Sequence, residues 1–448
     1  MGTPWRRWLG ATVGLALLAV GCRGAGEDDA SGTRRVPDDY STIQEAVDAA
    51  EPGDLVLIEP GTYEEAVDVT TDDLVIRGLD RNDVVLDGGF ELGNGIRILE
   101  ADGVAVENLT VQNFTDNGLF WTGVDGYRAS YVSAIRYGVY AFGSVNGVFE
   151  HSYASGSADG GFYIGQCFPC DAVVDDVVSE WNGMGFSDTD AGGDLVVVGS
   201  VFRENRLGFV AASATFEGCY PQREATFVGN RVLDNGNPDT AAVGLALLAD
   251  GVGVGVGGGI GNVIERNVVS GNPRAGIAVI PFPEYDAIAP IPAPEDRPVD
   301  CVADATAADE EVIAGLDNPL LWPPEDNQVR ENDVADNGEW DLVVLTLDGE
   351  AHGNCFEGNE LAADAVLAPP EIEAVLPCEG EPQAFVPELA RFLEIVEREL
   401  PDPPSYQDVD LPDPGLLAGM DDPESAPAEP AGPPPPVDLD AITTPDAG

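Results

Sequence analysis

The 448-residue sequence contains no lysine. All 20 of its basic residues are arginines, set against 81 acidic residues, for a formal net charge of −61. Nucleic acid is thereby excluded as a partner, because phosphate backbones are held by clustered Lys and Arg. Such a charge keeps a chain soluble at a cost in self-repulsion. Two origins stay open: adaptation to high salt, where ions screen the repulsion, and a base composition that favours Asp, Glu and Arg codons. Histidine is nearly missing, with His151 and His352 alone. Long apolar runs are missing after the N-terminus. The stretch "LALLADGVGVGVGGGIG" (residues 245–261) alternates Gly with Val and is broken by Asp250, so it reads as buried strand and turn rather than a membrane span.

The one sustained apolar run is at the start, in "MGTPWRRWLGATVGLALLAVGC". Arg6 and Arg7 precede an apolar segment from Trp8 to Val20, which suits a secretory signal at residues 1–22. Its end, "LLAVGC", resembles a bacterial lipobox, although Ala19 stands where Leu is usual. The resemblance implies cleavage before Cys22 and a lipid on its thiol; plain secretion is the alternative. Residues 23–35 then form a polar linker. Six cysteines remain in the exported chain: Cys167, Cys170, Cys219, Cys301, Cys355 and Cys378. An even number in such a chain reads as disulfides, with pairing undetermined.

Helical patterns are scarce. Ser41 and Gln44 fit a capping box, followed by Ile43, Ala46, Val47 and Ala50 at helical spacing. This short helix suits an N-terminal cap on an all-β stack. A second amphipathic segment, "FVPELARFLEIVEREL" (residues 385–400), places Leu389, Phe392, Leu393 and Val396 on one face and is expected to cap the other end within residues 366–400. Residues 401–448 lack basic residues and are crowded with Pro, Asp and Glu, so disorder is expected.

Between the helices a repeat runs. Gly95, Gly118, Gly138, Gly161, Gly185 and Gly208 each precede a bulky residue, at a near-constant period in the twenties, and Gly244 and Gly276 continue the series. Asn pairs five apart recur at Asn108/Asn113, Asn230/Asn235, Asn267/Asn272, Asn332/Asn337 and Asn354/Asn359. A fixed period with alternating apolar residues and no helix inside the repeat predicts a parallel β-helix solenoid over residues 36–365, of roughly ten coils. Residues 281–326 interrupt it as a long Pro-rich excursion. The opening "YSTIQEAVDAAEPGDLVLIEPGTYEEAV" and the coils after it resemble the right-handed parallel β-helix proteins of the pectin-lyase-like superfamily. That resemblance implies the fold and no particular activity.

The Cys167-x2-Cys170 pair falls short of a zinc site, which usually takes two such pairs, and it lies outside the helix start that a redox motif uses. It reads as a staple. Stacking suggests that Cys219 joins Cys167 or Cys170, with a local 167–170 bridge as the alternative. The segment "SDTDAGGD" offers Asp188, Asp190 and Asp194 as oxygen ligands for Ca2+, although in a chain this acidic such clusters arise by chance and no cofactor is required. Paired carboxylates are what glycosidases use. The candidates are Asp171, Asp175, Asp176, Asp188, Asp190 and Asp194 with Arg203 and Arg206, beside Tyr163 and Gln166 as ligand-binding residues; His151 reads as a rim residue. The motifs "GYQDTLY", "GTVDF", "GHG", "DPH" and "RxPxxR" of known β-helix enzymes are absent. The expectation is an exported, lipid-anchored envelope or cell-surface protein. It would bind a polysaccharide or envelope glycan, or act as a scaffold, without catalysis. The alternative is a polysaccharide lyase or glycoside hydrolase.

Overall fold

A computed structural model of the chain describes residues 32–285, 287–302, 319–396, 398 and 400–446. The signal segment, Cys22, part of the linker and the middle of the 281–326 excursion lie outside the described residues.

Strands of mostly three to six residues follow one another around a coil, and each pairs in parallel with its counterpart one coil on. Three faces result. The first begins with Thr33–Val36, which reaches back into the expected 23–35 linker, and continues with Leu55–Ile58, Val75–Gly78 and Val104–Glu107. The second begins with Gly61–Tyr63, Val84–Asp87 and Thr110–Gln112. The third begins with Val67–Val69, Ile96–Leu99 and Leu119–Thr122. The second face carries eleven strands among the described residues, against the roughly ten coils expected.

The periodic glycines open the strands of the third face, except Gly244, which caps the helical turn Leu245–Leu248 and leaves its expected place to Gly253. A Cβ on Gly138 would lie 2.3 Å from the Gly160 carbonyl oxygen, and one on Gly208 would lie 2.3 Å from that of Gly253. No larger residue fits. The residue after each glycine points inward, so Val139, Phe162, Phe186 and Phe209 stack in the core.

Asparagines line the bends in three ladders. Asn230, Asn267, Asn332 and Asn359 form one, each Nδ2 donating to the Oδ1 of the next at about 3.0 Å. Asn182, Asn205, Asn235, Asn272 and Asn337 form another. Gln222, Asn262, Asn327 and Asn354 form the third. Buried amides satisfied in this way are worth keeping, since an orphaned one costs about 1–3 kcal/mol. The leftover donors at the C-terminal end meet carboxylates: Asn359 donates to Glu373 at 2.9 Å and Asn337 to Asp341 at 3.0 Å. Asn108 and Asn113 stand outside the ladders; Asn108 bonds Gly78 and Asn113 bonds Asp87.

The N-terminal helix is Ile43–Asp48, with Ile43, Ala46 and Val47 buried. Its cap is Thr42, whose hydroxyl accepts from the Glu45 amide at 3.1 Å, one residue beyond the expected Ser41. Ser41 instead donates its hydroxyl to the Glu45 carboxylate. The C-terminal end is covered differently from expectation. A helical turn at Ile372–Val375 closes it, with Ile372 and Leu376 buried and Cys355 bonded to Cys378. The amphipathic helix Leu389–Val396 lies against the side of the stack, where Arg391 sits 4.5 Å from the Trp340 ring and Phe392 packs on the cluster around it; Leu393 is exposed.

Residues 401–446, expected to be disordered, run along the stack as an extended strap. Two forces hold them. Arginines of the body donate to strap carbonyls: Arg136 to Tyr406 and Val409, Arg81 to Ala418, Arg77 to Pro423, Ala426 and Pro427, and Arg266 to Ile442. Strap side chains also cover apolar patches on the outside of the first face, Ala428 and Ala431 over Leu55, Leu57 and Val75, and Val437, Leu439 and Ile442 over Val173, Val198 and Val228. Composition alone misses this, because the apolar partners belong to the body and not to the segment itself.

Candidate functional site on the third face

Outward positions of the third face fall in columns, one residue per coil. One column reads Asp68, Arg97, Phe120, Tyr140, Tyr163, Ser187 and Val210. Tyr140 and Tyr163 stack with ring centroids 5.1 Å apart. Phe120 and Phe142 pack at 6.3 Å beside them.

Two loops rise over this column. Residues 213–222 bring Glu217 to Tyr163, whose hydroxyl donates to the Glu217 carboxylate at 2.7 Å. Gln166 accepts from the Gly218 amide at 3.3 Å in the same loop. Cys219 pairs with Cys301 and ties the loop to the 281–302 excursion. Cys167 pairs with Cys170, and Cys301–Val302 runs antiparallel to Cys167–Phe168. The suggested pairing of Cys219 with Cys167 or Cys170 is therefore corrected. All four cysteines do meet in one corner, but the excursion supplies the partner that coil spacing could not indicate. The second loop, residues 237–250, is clamped by Arg206, which donates to the carbonyls of Pro238 and Thr240 and reaches Asp250.

Burial dominates the electrostatics. It raises the Glu217 carboxyl to about 7, with the charge of Asp159 adding and hydrogen bonds from Tyr163 and Gln166 pulling back. Burial also raises Asp159. Asp190 is held well above the ordinary carboxylate range by burial and then by Glu217. Its Oδ1 accepts from the Ala214 amide at 3.1 Å, while Oδ2 has no partner among the described residues. Glu284 receives both the amide and hydroxyl of Thr215 at 2.7 Å and the Trp322 indole at 2.8 Å. The site thus holds Glu217, Asp159 and Asp190 carboxyls raised by burial beside two phenols, and Glu217, at about 7, is placed to donate a proton to a hydroxyl or glycosidic oxygen near neutral pH.

The other sequence candidates scatter. Asp188 points into the core, in register with Ile164 and Ala211, and accepts from Gln222 at 2.9 Å. Asp171 and Asp194 share a bend between the third and first faces, and Asp194 is exposed. Asp175 and Asp176 lie exposed at the next bend, where Asp176 bonds His151 at 2.8 Å. Arg203 is on the second face, 2.7 Å from Glu180, and Arg206 is a buried loop clamp. Neither the proposed catalytic set nor the Ca2+ set of Asp188, Asp190 and Asp194 converges on one point. Among the described residues no three His, Cys, Asp or Glu side chains group to hold a metal. Alternation alone would place Asp188, Asp190 and Asp194 on one side; left-handed backbone at Asp190, Gly192, Gly193 and Asp194 turns the chain between them and separates them. Sequence reading found Tyr163, Gln166 and Asp190 but missed Glu217, Asp159 and Tyr140. The available signal was Glu217 beside a tethered cysteine.

Residues 94–281 match the family described as right handed beta helix region. No curated protein sequence matches the chain. Among solved structures, the A-module of the Azotobacter vinelandii mannuronan C-5 epimerase AlgE4 is similar, at 15% identity over 73% of this chain and 92% of that one, with a TM-score of 0.49. The AlgE6 A-module of the same organism follows at 14% identity over 73% of this chain and 94% of that one, TM-score 0.41. An alginate lyase from Paenibacillus sp. str. FPU-7 is 13% identical over 71% of this chain and 96% of that one, TM-score 0.38. With coils paired in parallel along the whole stack and this family match across its middle, the chain is a right-handed parallel β-helix protein.

Proposed function

We propose that the chain is an exported, lipid-anchored β-helix protein that binds a glycan along the outer third face. One observation carries the reading. The outward column Arg97, Phe120, Tyr140 and Tyr163 presents one side chain per coil and ends at Glu217 and Asp159. A coil repeat of about 4.8 Å suits a linear polymer that offers apolar ring faces and hydroxyls in alternation. The net charge of −61 favours a neutral glycan over a polyuronate. The lipobox-like N-terminus supports the anchor and an envelope or cell-surface location.

A second reading is catalysis on the same glycan, favoured by the Tyr163–Glu217 pair and the position of the Glu217 carboxyl near 7. Such a carboxyl acts as a general acid at neutral pH. A polysaccharide panel read for both binding and product formation tests both. Binding lost in Tyr163→Ala, without products, supports the first reading. Turnover lost in Glu217→Gln supports the second. Binding by neither the native chain nor its variants overturns both.

A further inference from the structure

We propose a second ligand site, on the outer second face beneath the strap, that takes a neutral oligosaccharide. It is separate from the third-face column and does not depend on that reading.

The strap is pinned on both sides of a bridge. On one side Arg136 grips the carbonyls of Tyr406 and Val409. Leu411 packs so closely on Gly156 that a Cβ there would lie 2.5 Å from Leu411 Cδ1. On the other side Asn82 donates to the Leu417 carbonyl at 2.9 Å and accepts from its amide at 3.0 Å. Arg81 donates to Ala418 at 2.8 Å. Between these anchors run Pro412, Asp413, Pro414, Gly415 and Leu416. The two prolines lack an N–H to donate and hold the bridge extended; the hydrogen bond in this stretch is local, from the Gly415 amide to Asp413.

The bridge does not fill the space below it. Two adjoining cavities lie there, of about 350 and 600 Å³, with Tyr153, Pro412, Pro414 and Leu417 on the borders of both. Each is within the range of small-ligand sites. The floor is made of outward side chains in register. Thr110, Ser133 and Tyr153 form one column, and Gln112, Ile135, Ser155, Glu180 and Arg203 the other. Hydroxyls, an amide and a carboxylate–guanidinium pair therefore repeat at coil spacing. Ser155 is 2% exposed, and its hydroxyl has no hydrogen-bond partner among the described residues. A buried hydroxyl left unpaired at the edge of a cavity is a vacant recognition group.

The same floor selects the ligand. Every strand in this part of the face is paired on both sides, so no free strand edge exists to capture an extended peptide. Arg203 is matched by Glu180, and Glu204 and Asp234 border the larger cavity. That charge balance repels anions. Thr110 and Ser133 are already bonded to Arg81, Tyr153 to Glu180 and the Gln112 amide to Asp87, so a neutral polyhydroxylated chain is read by the unpaired Ser155 hydroxyl and the remaining hydrogen-bonding capacity of these groups.

The test uses the full chain and a panel of neutral hexaoses (cello-, manno-, xylo- and laminarihexaose), with a hexauronate as contrast, read by titration calorimetry and by hydrogen exchange. One neutral hexaose is expected to bind. It should protect the backbone around Gln112, Ser133 and Ser155, and binding should weaken about tenfold in Gln112→Ala or Ser155→Ala, the loss of one or two hydrogen bonds. A Pro412→Gly/Pro414→Gly variant should release the ligand faster. Absence of hexaose binding at millimolar concentration, a preference for the hexauronate, or protection confined to the third face each overturns the proposal. Should a variant fail to fold, the exchange footprint on the native chain decides alone.

Discussion

Tyr163 and Glu217, 54 residues apart in sequence, share a 2.7 Å hydrogen bond on the outer third face. The loop that carries Glu217 is held by the Cys219–Cys301 bridge two residues later. A coil strand, a surface loop and a distant excursion thus converge on one desolvated proton.

That proton gives the stability a pH dependence. The Glu217 carboxyl sits at about 7 when folded, against an ordinary 4.5. Below the ordinary value both states are protonated and the group contributes nothing. Between the two values the unfolded chain has released the proton and the native one retains it, so stability falls as pH rises and levels off above about 7. Glu217→Gln removes the penalty. Its melting temperature should exceed that of the native chain at pH 8 and match it at pH 4, the difference corresponding to about 3 kcal/mol. Equal shifts at both pH values would refute the assignment.

The strap contributes to folding stability. Deleting residues 401–448 uncovers the patches around Leu55 and Val198 and leaves Arg77 and Arg81, 1% and 4% exposed, without several of their acceptors. Arg77 keeps its Glu107 ion pair and Arg81 its bonds to Val132, Ser133 and His151, so the loss is the apolar cover together with about 1 kcal/mol for each strap hydrogen bond. The truncated chain should melt at a lower temperature and bind a hydrophobic dye; an unchanged melt would show that the strap is dispensable.

The disulfides should rank by loop length. Cys219–Cys301 closes a separation of 82 residues, Cys355–Cys378 one of 23 and Cys167–Cys170 one of 3. On a chain-entropy basis the first two are worth about 3–5 kcal/mol each and the last far less. Non-reducing peptide mapping checks the connectivity, and thermal melts of Cys→Ala pairs check the order.

The ladders should be intolerant in their middle. Asn267→Ala leaves the Asn230 amide groups without their acceptor, at a cost of about 2–3 kcal/mol. Asn113→Ala, outside any ladder, should cost under about 1 kcal/mol, since its partner Asp87 also bonds Gln112. Denaturant titration of the two variants separates the cases.

The periodic glycines and the Asn pairs were legible as a solenoid because each marks a geometric requirement repeated at every coil. Gly138 and Gly208 face a neighbouring carbonyl with no room for a side chain, and Asn267 must bridge two bends. The site was less legible. Among 81 acidic residues, the sequence does not mark which are desolvated; loops set that, and it singles out Glu217 and Asp159 while leaving Asp176 and Asp194 exposed. Asp188 looked like a ligand and proved to be a core residue because its strand alternation places it with Ile164. The strap was misread for a related reason. Its acceptors are backbone carbonyls, which every sequence has, and the arginines that select them lie hundreds of residues away.

In two of the ladders each asparagine amide passes a hydrogen bond to the asparagine of the later coil and the run ends on an acid; in the third, Gln222 and Asn262 exchange hydrogen bonds both ways before the run goes on toward Asn354. The stack therefore has a head and a tail, as a polar crystal axis does. A genetic duplication that inserts one whole coil between Asn230 and Asn332 presents the same acceptor below and the same donor above, and the array closes over it. A part-coil insertion sets the bends out of step, and a coil swapped in from the carboxylate-terminated end places an acid where an amide must both give and receive. Such a protein lengthens in whole units from its interior, with its ends carried along unchanged.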